Sequence, residues 1–96
     1  MKLTRSSDNY NDYTTEYSFN VPVGDYLITF KIYSPKAYGN FYVFCNEGNQ
    51  NIGFAKTEDV QLIQLHLTNK TVTGVRFVIY ESNQSIYVDD FQIIPQ

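Results

Sequence analysis

The sequence predicts an all-β fold, an antiparallel sandwich of two sheets, and three observations carry that expectation. Nine Tyr and seven Phe, with no Trp, stand among many Val, Ile and Thr in a chain of 96 residues, the composition of pleated, half-buried surfaces. Apolar and polar residues alternate with period two again and again, while no segment keeps an i, i+3, i+4, i+7 apolar pattern over three turns. Six or seven such runs, at spacings near ~10–15 residues and joined by short turn-like stretches, leave no room for helical crossovers.

The elements follow in order. Residues 13–20 put Tyr13, Thr15, Tyr17 and Phe19 on one parity and Thr14, Glu16, Ser18 and Asn20 on the other, a strand with one wet face. Pro22 and Gly24 then read as a turn. In residues 25–34 the apolar parity is Tyr26, Ile28, Phe30 and Ile32, with Leu27, Thr29 and Lys31 opposite; this is the clearest strand of the chain. Residues 35–39 read as a loop. Residues 40–46 form a strand apolar on both faces, with Phe41, Val43 and Cys45 on one side and Tyr42 and Phe44 on the other. The polar stretch 47–51 leads to a short apolar piece at 52–55, and residues 60–67 turn Ile63, Leu65 and Leu67 inward. Residues 69–73 read as the next turn. Val75, Phe77 and Ile79 alternate with Arg76, Val78 and Tyr80, and a turn at 81–84 leads into the last strand, 85–94.

That last strand changes phase. Ile86 and Val88 share one parity, Phe91 and Ile93 the other, so one residue must be slipped at Asp89 and Asp90, which predicts a β-bulge there. The expected core is Ile28, Phe30, Ile32, Val43, Leu65, Phe77, Ile79, Val88 and Phe91. Residues 1–96 make one domain, with 1–11 a flexible segment or a partial N-terminal strand.

Seven Lys/Arg against ten Asp/Glu give a net charge of −3 and a pI near 4.8, the wrong sign for a domain that neutralises phosphates, so nucleic acid is not expected as a partner. Cys45 and His66 are the sole cysteine and histidine, too few for a zinc site of ligand spacing. No run approaches the ~18 apolar residues of a membrane span, so a membrane is not an expected partner either. Residues 1–7 lack the apolar stretch of a signal peptide. Two readings stay open: a cytoplasmic chain, or an extracellular domain cut from a larger secreted chain whose other domains would be its neighbours.

Two stretches carry a resemblance. Asn20-Val21-Pro22-Val23-Gly24-Asp25-Tyr26-Leu27-Ile28-Thr29-Phe30-Lys31-Ile32 resembles the opening strand of jelly-roll carbohydrate-binding modules, a polar turn, Gly, x, Tyr and then alternating apolar residues. Ser85-Ile86-Tyr87-Val88-Asp89-Asp90-Phe91-Gln92-Ile93 is similar to their closing strand. The order of elements between them also fits the modules attached to galactanases, xylanases and related glycoside hydrolases. The resemblance implies a jelly-roll-like sandwich, a polysaccharide as partner and no catalysis. The family's modules usually run longer, begin with an extra N-terminal strand and often use Trp.

A sugar ring has an apolar C–H face and a polar rim, so a binder needs aromatic plates flanked by hydrogen-bonding groups. Tyr33, Tyr42, Phe44 and Tyr80 lie on the non-core parity of their strands, with Asn46, Arg76, Lys31 and Gln64 as polar neighbours. The binding set is therefore Tyr33, Tyr42, Phe44, Asn46, Arg76 and Tyr80; the plainer alternative is that the tyrosines are cross-strand pairs at the rims. Asp89 and Asp90 are adjacent, so on a regular strand their carboxylates point to opposite faces and do not form an acid–base pair. The resemblance implies that one of them helps hold a structural calcium; the residues by themselves equally predict an Asp that satisfies free N–H groups at the bulge. His66 reads as a surface residue and Cys45 as a small core residue. Asn69-Lys70-Thr71 and Asn83-Gln84-Ser85 match the glycosylation pattern, which is too common to decide anything. Two function classes survive, a non-catalytic carbohydrate-binding module and a structural or protein-binding sandwich of a surface or virion protein. No enzyme is expected.

Overall fold

The structure is a computed structural model that describes residues 1–5 and 14–96. Its six strands are β1 (Lys2–Arg5), β2 (Thr14–Ser34), β3 (Gly39–Phe44), β4 (Gln50–Phe54), β5 (Thr57–Ile79) and β6 (Gln84–Pro95). All pairings are antiparallel, and the described residues contain no helix. Lys2–Arg5 forms a short strand in the segment 1–11; residues 6–11 and Tyr13 lie outside the described residues.

The expected pair of separate sheets is instead one continuous sheet of order β1-β6-β2-β5-β3-β4. Length explains how one sheet encloses a core. A straight strand rises ~3.3 Å per residue, so the 23 residues of β5 would reach about 75 Å, whereas the longest dimension of the molecule is 36 Å. β2 and β5 therefore bend together. Before the bend, residues 14–18 of β2 pair with 74–78 of β5; after it, residues 26–32 pair with 61–67. β3 and β4 extend the sheet beyond residues 74–79, and β6 and β1 extend it beyond residues 26–33. The sheet is thus folded over itself into a first layer (β1, β6, residues 26–34 of β2, residues 57–67 of β5) and a second (residues 14–18 of β2, residues 74–79 of β5, β3, β4).

The turns expected at Pro22–Gly24 and at 69–73 are corrected accordingly: both segments stay in strands. Their turn chemistry is used for bulges. Register shifts fall between Ser18 and Val21, Val21 and Gly24, and Gly24 and Tyr26, each adding an extra residue that turns the ladder. Pro22, with no N–H to donate, sits in this irregular stretch. Asn69 takes a φ of 54°, the left-handed conformation that Asn tolerates best among side-chain-bearing residues, and its N–H donates to Asp25 Oδ1 at 2.9 Å.

The core lies between the layers. Phe30 of the first layer packs edge-on against Phe41 at 4.7 Å and Phe77 at 5.5 Å, both from the second. Ile28, Ile32, Val43, Val72, Val75, Ile86 and Val88 complete it, all essentially closed to solvent. The expected core is borne out except at its margin, where Leu65 and Phe91 are only half-buried. Tyr17 and Phe19 also face inward, but the layers do not close over them. An apolar cavity of about 180 Å³ opens there, lined by Met1, Tyr17, Phe19, Val75, Phe77 and Phe91.

The phase change at Asp89 and Asp90 is the bulge the alternation predicts. Thr29 pairs with Gln92 and Lys31 with Asp89, so three steps of β6 oppose two of β2. Asp90 takes a φ of 54°, and Ile86, Val88, Phe91 and Ile93 all face the core across the slip.

Candidate functional site

The candidate site is built on β3 and the end of β5. β3 buries Phe41 and Val43 and turns Asn40, Tyr42 and Phe44 to the outer face of the second layer. Next to it β5 buries Val75, Phe77 and Ile79 and turns Arg76 outward, with Tyr80 just past the strand. Register then decides which side chains meet. Tyr42 pairs with Arg76, Arg76 with Glu16 and Tyr42 with Asn51, so these four lie in one row across the sheet. The approach of the two strands depends on Gly39, where a Cβ would overlap the Val78 carbonyl oxygen.

At one end of β3 the Tyr38 and Tyr80 rings stand 5.3 Å apart, tilted by 43°. The Tyr80 N–H donates to the Tyr38 carbonyl at 3.0 Å, and Asn40 Nδ2 donates to the Tyr80 hydroxyl at 3.0 Å. Farther along, the Arg76 guanidinium lies 5.1 Å from the centre of the Phe44 ring, a cation–π contact. Its Nη2 is ion-paired with Glu16 Oε2 at 3.2 Å, and its Nε is buried without an acceptor among the described residues. Arg76 is thus part of the platform's framework, with one donor unused.

Asn46 follows β3 at the far end, where its N–H donates to Thr71 Oγ1 at 2.9 Å. Glu47 Oε1 accepts from the Thr71 N–H at 2.7 Å and from its hydroxyl at 3.1 Å. The Thr71 N–H, chiefly, holds the Glu47 carboxyl below its ordinary range. Cys45 beside it is buried, and burial pushes its thiol up, so no thiolate stands ready there.

The structure thus brings together Tyr42, Phe44, Arg76 and Tyr80, with Asn46 at the end of the row, and separates Tyr33 from them. Tyr33 lies on the outer face of the first layer beside Tyr87, ring centres 6.0 Å apart, in a depression that also takes in Lys31, Val60 and Asp89. Lys31 and Gln64 belong to that face too. Residues that sequence reasoning missed are Tyr38, Asn40, Asn51 and Glu16. Tyr38 sits in a loop, where period-two parity assigns no face, and its partner Tyr80 is 42 residues away, joined to it only by the β3–β5 pairing.

Asp89 and Asp90 are both engaged by neighbours at the bulge. Asp89 Oδ1 accepts the Asp90 N–H at 2.9 Å and Asp90 Oδ2 pairs with the Lys31 ammonium at 3.3 Å. Among the described residues no group of three His, Cys, Asp or Glu converges as a metal site. Both aspartates serve the bulge. His66 is exposed on its strand, as its parity predicts. Asn69 and Asn83 both lie exposed with positive φ, a backbone reason for Asn at each position.

No family model matches this sequence, and no curated protein matches it. Among solved structures the fold is similar to one described as "CBM4 structure and function", a carbohydrate-binding module, with a TM-score of 0.61 and 21% identity over 86% of this chain. This chain spans 59% of that one. The likeness is one of fold: an antiparallel, all-β scaffold of the kind carbohydrate-binding modules use.

Proposed function

We propose that this domain is a non-catalytic carbohydrate-binding module that takes a polysaccharide chain along the outer face of β3. The observation that carries the reading is the row Tyr38, Tyr80, Tyr42 and Phe44, four aromatic side chains on one face, flanked by Asn40, Arg76, Asn46 and Asn51. From Tyr38 to Asn46 the row runs for roughly 25 Å at strand rise, so it suits an extended chain of several sugar units better than one small molecule. Aromatic plates meet C–H faces and the amide and guanidinium groups meet hydroxyls. The fold likeness supports the same reading. The apolar cavity between the layers suits a sugar poorly, because among its lining side chains only the Tyr17 hydroxyl and the Met1 sulfur form a hydrogen bond, and they form it with each other.

β-Linked galactan and xylan are the polysaccharides to test first, on the strength of the two module-like strands. In affinity electrophoresis through gels carrying each polysaccharide, the wild-type domain is retarded. Tyr42→Ala and Tyr80→Ala each lose about 1–2 kcal/mol of binding, while the thermal transition moves little. Absence of retardation across a glycan array, or unfolding of both variants, would mean that these tyrosines are framework. The second reading, a protein-binding sandwich, draws on a different region, the exposed apolar residues Val60 and Leu62 of β5.

A further inference from the structure

We infer that the outer face of the first layer carries a second saccharide site, centred on Tyr33 and Tyr87, which holds a short piece of a polysaccharide chain and makes the domain bivalent. The class of ligand rests on the carbohydrate reading of the β3 platform; the site itself rests on a different part of the molecule.

Register assembles the site from neighbouring strands. Tyr33 of β2 pairs with Tyr87 of β6, and Tyr87 with Lys2 of β1, so these three exposed side chains lie in one row. The two rings stand 6.0 Å apart, tilted by 39°, and the Lys2 ammonium lies 6.0 Å from the centre of the Tyr87 ring. Tyr87 is thus flanked on both sides within its row. In the next row of the same face Lys31 pairs with Asp89. β5 supplies the remaining wall. Ile32 pairs with Gln61 and Ser34 with Thr57, so four steps of β5 oppose two of β2. The strand bulges there, and its Val60 lines the same depression as Tyr33.

That depression has a volume of about 410 Å³, within the range of ~300–1,000 Å³ usual for small-ligand sites. Its chemistry is mixed. Two rings and the Val60 side chain offer apolar surface to the C–H face of a sugar, while an ammonium, a carboxylate and two phenol hydroxyls offer hydrogen bonds to its rim. These polar groups are largely unspent. Among the described residues neither tyrosine hydroxyl has a hydrogen-bond partner, and Asp89 uses only Oδ1, on the Asp90 N–H. Lys31 pairs with Asp90 at 3.3 Å and keeps donors to spare.

The same inventory selects the occupant. An apolar protein segment would bury Lys31 and Asp89 with nothing to satisfy them, which costs more than the rings return. An anion would meet the carboxylates of Asp89 and Asp90. The side chains of Lys2 and Lys31 balance those two charges, so the fitting ligand is neutral, rich in hydroxyls and has an apolar face. Volume limits it to roughly one or two sugar units, a chain end or a single link, where β3 takes an extended stretch. The core separates the two outer faces, so one domain holds two chains and links them.

Amide-resolved NMR titration of the isotope-labelled full chain with xylohexaose and with a galactan hexasaccharide tests the inference. One of the two sugars shifts two separate groups of amides, around Tyr33, Tyr87 and Lys31 and along β3, and both groups saturate in the same sample. Tyr33→Ala and Tyr87→Ala each weaken the first group about two- to tenfold and leave the second unchanged; Tyr42→Ala does the reverse. Both tyrosines are exposed, at 38% and 43%, so the variants keep the wild-type far-UV strand spectrum, and the wild-type map decides even where a variant does not fold. Shifts along β3 alone overturn this inference and leave the platform standing, whereas shifts around Tyr33 and Tyr87 alone keep it and overturn the platform. Shifts in neither group with either sugar, or a first group that persists undiminished in both variants, also overturn it, and the glycan array then decides the carbohydrate reading by itself.

Discussion

β5 lives in two environments. Residues 74–79 lie between residues 14–18 of β2 and β3, and five of the six, all but Arg76, are buried. Residues 57–67 have one neighbour, and only Ile63 and Leu67 are buried. The same strand is therefore an interior strand in one layer and a boundary in the other. Flanking strands change what a pattern of residues can do. Where both flanks are filled, outward side chains become an ordered platform, as with Arg76 held by Glu16 and Phe44. Where one flank is open, outward side chains and backbone alike remain available to a partner.

The largest expected effect separates the two environments by stability. Phe77→Ala removes a ring packed against Phe30 and Phe41 and should cost about 3–5 kcal/mol in urea unfolding. Leu65→Ala, half-buried on the boundary portion of the same face, should cost about 1–2 kcal/mol. Equal costs would mean that the open flank packs as tightly as the enclosed one. Gly39→Ala acts between these. Its methyl group collides with the Val78 carbonyl where β3 meets β5, and forcing the strands apart should cost about 1–3 kcal/mol, with weakened polysaccharide retardation as Tyr38 moves away from Tyr80.

The smallest effect concerns the far end of the platform, where Glu47 ties the loop after β3 to Thr71. Its folded-state pKa is depressed, so its contribution to stability is present above the ordinary carboxylate pKa of ~4.3 and is lost as pH falls through the lower folded value. Glu47→Gln should melt slightly below the wild type at pH 7, and the difference should close on acidification. A gap that persists unchanged at pH 2 would break the assignment.

Much of the fold was legible because alternation is local. The faces of residues 26–32 and 75–79 and the slip at Asp89–Asp90 each depend on a residue and its near neighbours, and the structure keeps them all. The bend was not legible. Pro22, Gly24 and Asn69 serve turns and bulges equally well, and only the partner strand decides between ending a ladder and deflecting it. One sheet rather than two follows from that decision. For the same reason the candidate site was half legible. Parity identified Tyr42, Phe44, Arg76 and Tyr80 as outward, but Tyr33 has the same parity signature and belongs to the opposite layer. Membership of a layer is a long-range property that alternation does not encode.

The shared bend has a consequence for how the molecule comes apart. In a sandwich of separate sheets, one sheet can peel away and leave the other's hydrogen bonds intact. Here the β2–β5 ladder passes from one layer to the other, from Thr14 opposite Val78 to Ser34 opposite Thr57, and is held at the crease by Asp25 on Asn69 and by the Tyr26 hydroxyl on the Pro22 carbonyl. Opening the layers means breaking that ladder at its middle. The layers are therefore expected to lose their structure in a single event, while the bulged, exposed crease exchanges its own amide protons faster than the centres of the layers. Formation of the crease is slow, because the paired segments stand far apart in the chain and must meet before either layer is complete.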